Sequence, residues 1–136
     1  MSEANISLTR RYIDEVVNQG KFDVIDEIYA EDYVNHTTTS GGEIKGRQGV
    51  RDIVEQWRAA FPDVRVSLDD EFAADDRVVT RITVTGTHEG DWRGVAPTGA
   101  SVDIRIISIF RIEDGQIIER WENADMLGLV QQLGIA

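Results

Sequence analysis

Arg120, Glu122 and Asp125 lie close together near the end of the chain, beside Ile117, Ile118 and Trp121. Ionisable side chains among apolar neighbours are costly unless paired, hydrogen-bonded or neutralised, so the cluster is either the rim of a strand or the wall of a pocket. Asp114-Gly115 suits a two-residue hairpin turn, and the strand that runs back from Gln116 carries the charges. Side chains two apart on a strand share a face, which sets Arg120 beside Glu122. Burial raises the pKa of a carboxyl group and a nearby guanidinium lowers it. The balance of the two can make such a group an acid or a base near neutral pH. The competing reading is a solvated salt bridge at a strand end.

Asp125 precedes Met126-Leu127-Gly128-Leu129, where it is either a helix cap or a partner for Glu122. His36 follows Tyr33 and Asn35 in a short extended piece, as a structural side chain or as a second proton-transfer group across a pocket. His88, in Thr87-His88-Glu89-Gly90-Asp91, reads as exposed. Two histidines this far apart, with no HExxH spacing, define no metal site. Tyr12, Tyr33, Trp57 and Trp92 are core residues by default, yet a pocket for a flat apolar ligand needs aromatic walls of this kind, and Ser108 would add a hydroxyl. There is no nucleophile elbow or phosphate-binding loop, and Ser40-Gly41-Gly42 reads as a turn.

The elements that must position these groups follow from periodicity. Leu8, Tyr12, Ile13, Val16 and Val17 form one stripe of a helix over residues 7 to 18, ending near Gly20, and a second short helix spans about Phe22 to Tyr29. Val50, Ile53, Val54, Trp57 and Phe61 share the face of a third helix that Pro62 stops. From Val64 the period becomes two: Val64, Val66, Leu68 and Phe72 alternate inward, and Val78 to His88 is a long strand. Between Gly90 and Gly99 lies an irregular connection. In the strand Val102 to Ile112 the even positions are nearly all apolar and face the core. The other face, with Ile107, Ile109, Ile117 and Trp121, is too apolar to be fully wet, so a homodimer through the outer sheet face is expected.

Helices first and a meander of strands after them describe an α+β domain, and 136 residues make one domain of residues 1–136. The chain has 25 acidic and 14 basic side chains, a formal charge of −11, which argues against nucleic acid or an anionic membrane as partner. Absence of cysteine excludes disulfides and thiolate chemistry. With no apolar run of signal-peptide or membrane-spanning length, a cytoplasmic location is expected.

The segment Tyr33-Val34-Asn35-His36 after two helices, the helix Gly46 to Phe61, Gly94-Val95-Ala96-Pro97-Thr98-Gly99, the turn Asp114-Gly115-Gln116-Ile117, and Trp121 through Gly134 carry a resemblance. Over essentially its full length the chain resembles the SnoaL-like polyketide cyclase (ester cyclase) branch of the nuclear transport factor 2-like superfamily. The resemblance implies a curved antiparallel sheet forming a cone around three helices, usually dimeric, with a ligand cavity inside. In the cyclases an aspartate near the end of the last strand is the acid/base of an intramolecular aldol closure, without metal or organic cofactor. Glu122 corresponds to that aspartate, one methylene longer, and Asp125 to a second recurrent acidic position. Ile53 and Ile106 correspond to pocket positions that carry polar groups in the cyclases, which implies a more apolar cavity here. Limonene-epoxide-hydrolase-like relatives use two carboxylates bridged by an arginine, where this chain has Arg81-Ile82-Thr83. Ketosteroid-isomerase-like relatives would need Asn35 or His36 in place of their base.

The resulting expectation is a cofactor-free enzyme acting on a small hydrophobic, cyclic or carbonyl-bearing metabolite. Glu122 would be the acid/base, Asp125 its support, Arg120 the group that stabilises negative charge, and His36 a second proton-transfer group. A non-catalytic small-molecule binder, an epoxide-hydrolase-like enzyme and a dimerisation module stand as alternatives, and catalysis itself stays open.

Overall fold

A computed structural model describes residues 2–37 and 42–135, so the turn expected at Ser40-Gly41 lies outside the described residues. The first helix begins earlier than the apolar stripe, as α1 (Ser2–Arg11), with Glu3 in the first turn where the helix dipole favours acid. It continues as a π-helical segment, Tyr12–Asn18, that buries Ile13, Val16 and Val17. Wider turns with bonds from i to i+5 rotate the side chains relative to an α-helix. Helix α2 (Asp23–Ile28) leads into β1 (Tyr29–Asn35), and a two-residue β2 (Ile44–Lys45) precedes α3 (Gly46–Ala60). The meander is β3 (Arg65–Ala74), β4 (Arg77–Thr87), β5 (Ser101–Glu113) and β6 (Gln116–Ala124), followed by α4 (Met126–Gln132).

These strands form one sheet in the order β2-β1-β6-β5-β4-β3. The sheet is mixed and not wholly antiparallel, because β1 lies parallel to β6. A parallel pair needs a long crossover, which α3 and the intervening strands supply. The expected turn at Asp114-Gly115 has positive φ at both residues, 52° and 73°, as a two-residue hairpin requires.

Register shifts decide which side chains face inward. On β5 the even residues Val102 to Ile112 are all buried, as the alternation predicts. On β3, however, an irregularity between Leu68 and Asp70 reverses the phase. Glu71 then faces buried Thr80, and Phe72, expected inside, is 57% exposed. A second shift opposite Arg111 and Ile112 sets both Ile117 and Arg120 inward on β6, so Ile117, expected on the outer face, is fully buried. Bulges of this kind bend strands and increase twist, which curves the sheet over the helices.

His88 is a further correction, since it is completely buried and not exposed. Its Nδ1 accepts a hydrogen bond from Thr98 N (3.2 Å) and sits 2.9 Å from Thr98 Oγ1, while its backbone pairs with Ala100 and Gly99. The amides of Glu89 and Gly90 both donate to Ala60 O at 3.0 Å, tying this connection to the end of α3. A Cβ on Gly90 would lie 2.1 Å from Ala59 O. Gly90→Ala is therefore expected to destabilise the fold by about 1–3 kcal/mol through overpacking against backbone, measured as a lower urea midpoint with unchanged m-value.

Candidate functional site

Arg120 is the centre of the site. Its cross-strand neighbour is Phe110, and Ser108 lies opposite Glu122, so one face of the β5–β6 ladder gathers all four. The guanidinium side chain is only 6% exposed. Its Nε and Nη2 donate to Ser108 Oγ (3.1 and 2.8 Å), Nη1 donates to Tyr12 Oη (3.1 Å), and Nη2 lies 3.1 Å from Glu122 Oε2. The guanidinium also sits 4.7 Å from the Phe110 ring centroid and 5.3 Å from that of Tyr12. Burial works against its charge, but Glu122 and the surrounding tyrosines outweigh it and raise the arginine pKa.

Glu122 is held from two sides. Arg120 meets Oε2, and Asn35 Nδ2 donates to Oε1 at 2.9 Å. Asn35 ends β1 and pairs with Arg120 across the parallel ladder. Its own carbonyl oxygen is buried without a hydrogen-bond partner. Such an orphan acceptor in a cavity wall is suited to a hydroxyl or water of an occupant.

These groups line a cavity with Tyr12, Val17, Ile53, Val54, Trp57 and Ile106, closed by Val64, Val66, Ile82 and Val84 of the sheet side. Tyr12 and Val17 are five residues apart, one i to i+5 span, so the π-helical segment brings both to the same wall. The space measures about 60 Å³ at the centres of water molecules, against about 10–15 Å³ needed for one water. A smaller space of about 30 Å³ adjoins it, sharing Ile53, Trp57, Ile106 and Glu122 and adding Ile44, Arg93, Ala124 and Met126. Glu122 thus lines both spaces.

Of the residues expected at the site, Tyr12, Ile53, Trp57, Ile106, Arg120 and Glu122 line the cavity. Ser108 supports Arg120 from behind. Tyr33 is buried against Tyr29 with ring centroids 4.7 Å apart, and burial pushes its hydroxyl pKa far up. Trp92 packs on Trp57 at 4.5 Å as a second layer.

Two expected residues lie elsewhere. Asp125 is exposed and caps α4, accepting from Gly128 N at 2.9 Å, so it does not support Glu122. Residues next in sequence on a strand face opposite sides, and His36 emerges on the outer face beyond inward Asn35. There it stacks on Trp121 at 5.3 Å and bonds Glu43 (2.7 Å) and Glu119 (2.8 Å), which removes it from the cavity. Asn35 was the residue to add, and its spacing of two from buried Tyr33 was the signal. Among the described residues no three His, Cys, Asp or Glu side chains converge as metal ligands. No helix there is long and apolar enough to cross a membrane.

A curved α+β sheet packed over helices, with an arginine-held carboxyl group in a cavity wall, defines a nuclear transport factor 2-like domain. The chain belongs to the SnoaL-like polyketide cyclase family, whose model matches residues 7–133. It is 29% identical over 120 residues to nogalonic acid methyl ester cyclase of Streptomyces nogalater, covering 86% of this chain and 88% of that enzyme. TsrD from Streptomyces laurentii superposes with a TM-score of 0.88 at 27% identity, covering 100% of this chain and 99% of that one. A SnoaL-like structure from a Jannaschia species reaches a TM-score of 0.90 at 23% identity, covering 99% and 94%, and shows the shared fold.

The outer network carries a pH signature. Glu119 and Glu43 raise the His36 pKa above 6.5, and His36, with Arg111, lowers that of Glu119 below 4.5. The histidine's contribution is complete below its unfolded value and fades as pH rises through its raised folded value. That of Glu119 is complete above its unfolded value and fades as pH falls through its lowered one. The stability difference between the native protein and His36→Gln is expected to be largest between pH 4.5 and 6.5 and to shrink on both sides, read from urea midpoints across the range.

Proposed function

We propose that the protein is a cofactor-free cyclase acting on a cyclic, carbonyl-bearing metabolite, with Glu122 as the acid/base. The observation that carries this reading is Glu122 itself. It is the one carboxyl group among the described cavity-lining residues, with Asn35 on one oxygen, Arg120 on the other, and apolar walls around it. The relatives named for ester cyclisation support the reaction class. Arg81-Ile82-Thr83, with threonine where a hydrolase would want its second carboxylate, disfavours the epoxide-hydrolase reading.

In the proposed reaction Glu122, as carboxylate, removes a proton from the carbon next to a substrate carbonyl. Tyr12 accepts a hydrogen bond from Arg120, which leaves its hydroxyl hydrogen to donate to the enolate oxygen, and the guanidinium behind it steadies the charge. The enolate carbon then attacks a second carbonyl of the same molecule, forming the new carbon–carbon bond and an alkoxide. The proton held by Glu122 passes to that alkoxide, and the carboxylate is regenerated. Atoms balance without a co-reactant, because the product is an isomer of the substrate.

With nogalonic acid methyl ester as substrate, Glu122→Gln is expected to abolish turnover while keeping ligand affinity. Glu122→Asp, which withdraws the carboxyl group by about 1 Å, is expected to lower kcat about 100-fold. Tight binding without turnover in the native protein would leave it a carrier of apolar metabolites, and turnover by Glu122→Gln would remove Glu122 from the mechanism.

We also propose a second copy of the chain as partner for the outer sheet face. Phe72, Val79, Ile109 and Trp121 form a row across four strands by register, and Ile107 and Ile109 stay 50% and 37% exposed with α4 in place. Light scattering at micromolar concentration is expected to give twice the 15.3 kDa of one chain, and one chain's mass for the double variant Ile107→Asp, Ile109→Asp. A monomeric native protein would remove the proposal.

A further inference from the structure

Besides the Trp57 indole, the polar side chains among the described residues lining the cavity are those of Tyr12, Asn35, Arg120 and Glu122. Each Arg120 nitrogen has a partner, and Glu122 takes Arg120 on one oxygen and Asn35 Nδ2 on the other. Tyr12 accepts from Arg120 and keeps its hydroxyl hydrogen to donate. Asn35 Oδ1 is different: it is buried with no hydrogen-bond partner among the described residues, on a side chain whose residue is 3% exposed. The amide cannot turn to relieve this. An ionised carboxyl group only accepts, so Nδ2 has to face Glu122, and the flipped amide would set two oxygens 2.9 Å apart. The backbone is fixed as well, because Asn35 pairs with Ile44 on one side and Arg120 on the other, and the next amide, His36 N, donates to Arg120 O at 2.8 Å. A buried acceptor held without a donor costs stability, and one retained in a cavity wall is explained by a donor that arrives with the occupant.

We propose that Asn35 is a specificity-determining residue that accepts a hydrogen bond from a hydroxyl of the substrate, so that the substrate class is a hydroxylated carbonyl compound and not a simple ketone or ester. This rests on reading the cavity as a substrate site with Glu122 as its acid/base. In the chain of contacts from Tyr12 through Arg120 and Glu122 to Asn35, a donor stands at one end, an acceptor at the other, and the carboxyl group between them. A molecule whose carbonyl meets Tyr12 and whose hydroxyl meets Asn35 therefore spans the carboxyl group. A neutral amide oxygen is a far weaker base than a carboxylate, so it holds the hydroxyl without removing its proton and leaves Glu122 for the carbon acid. A ligand that presents hydrogen to Asn35 leaves the acceptor unsatisfied, and one that presents fluorine sets two acceptors together. The apolar walls supply affinity, and Asn35 supplies discrimination.

The test titrates the native protein calorimetrically with meta-hydroxyacetophenone, acetophenone and meta-fluoroacetophenone, which share the ring and the carbonyl and differ at a single position. The hydroxyl compound is expected to bind about tenfold more tightly than acetophenone, and the fluoro compound no more tightly than acetophenone. In Asn35→Leu the preference for the hydroxyl is expected to vanish. Loss of the bond from Nδ2 to Glu122 acts on all three ligands alike and cancels in the ratio. A hydroxyl bound by Glu122 instead would keep its preference in Asn35→Leu, which frees Oε1, and that outcome overturns the role of Asn35. Glu122→Gln is the second variant, decisive even where Asn35→Leu does not fold: a preference retained there supports Asn35, and one lost with the carboxylate overturns it. Equal affinities in the native protein, with Ile106→Trp abolishing binding by filling the cavity, overturn the role of Asn35 and leave the cavity reading standing. Binding of none of the three, or binding that Ile106→Trp does not weaken, overturns the cavity reading and this inference with it.

Discussion

A guanidinium almost cut off from water is the constraint on which the rest of the site depends. An unpaired charge at such a place would cost several kcal/mol, and each of the three guanidinium nitrogens of Arg120 has a partner among Ser108, Tyr12 and Glu122. Each partner arrives from a different element, so satisfying one arginine fixes the relation of β5, β6 and the first helix. Asn35 adds β1 through Glu122. The same bonds that compensate for burial also fix the carboxyl group and the phenol in the cavity wall. The packing of the core and the placement of the cavity's polar groups therefore rest on one set of contacts, and neither can be loosened alone.

Around this polar centre the walls are plain hydrocarbon. Valines and isoleucines from α3 and from the sheet exclude water, which strengthens electrostatic interactions among the few polar groups present. Glu122 lines both of the adjoining spaces and is the one carboxyl group among the described residues that line them.

Much of the fold could be read from the chain because it is written in periods. The stripes of the first and third helices, the pure inner face of β5 and the Asp114-Gly115 turn all follow from spacing, and so does the sharing of one face by Arg120 and Glu122. What could not be read is where the period slips. Phe72 and Ile117 changed sides because of register shifts that no local residue preference announces. His88 looked like a loop histidine, yet the amides of Glu89 and Gly90 beside it bond Ala60 O, and the Thr98 amide bonds its ring, so it is enclosed. His36 and Asp125 failed as site residues for an ordinary reason. Neighbouring side chains on a strand diverge, and Asp125, placed just before a helix, accepts from the Gly128 amide instead of meeting Glu122. Asn35 was legible by its alternation with Tyr33, but an amide draws less attention than a histidine beside it.

The slips in period have a consequence for how such a chain can vary. The π-helical segment and the strand irregularities act as counting devices: each converts the number of residues between two anchors into the direction in which a side chain points. Exchanging one residue for another leaves the count intact, whereas adding or removing one upstream of Tyr12 or Arg120 would turn the whole following segment to its other side. Spelling is then cheap to change and length is not.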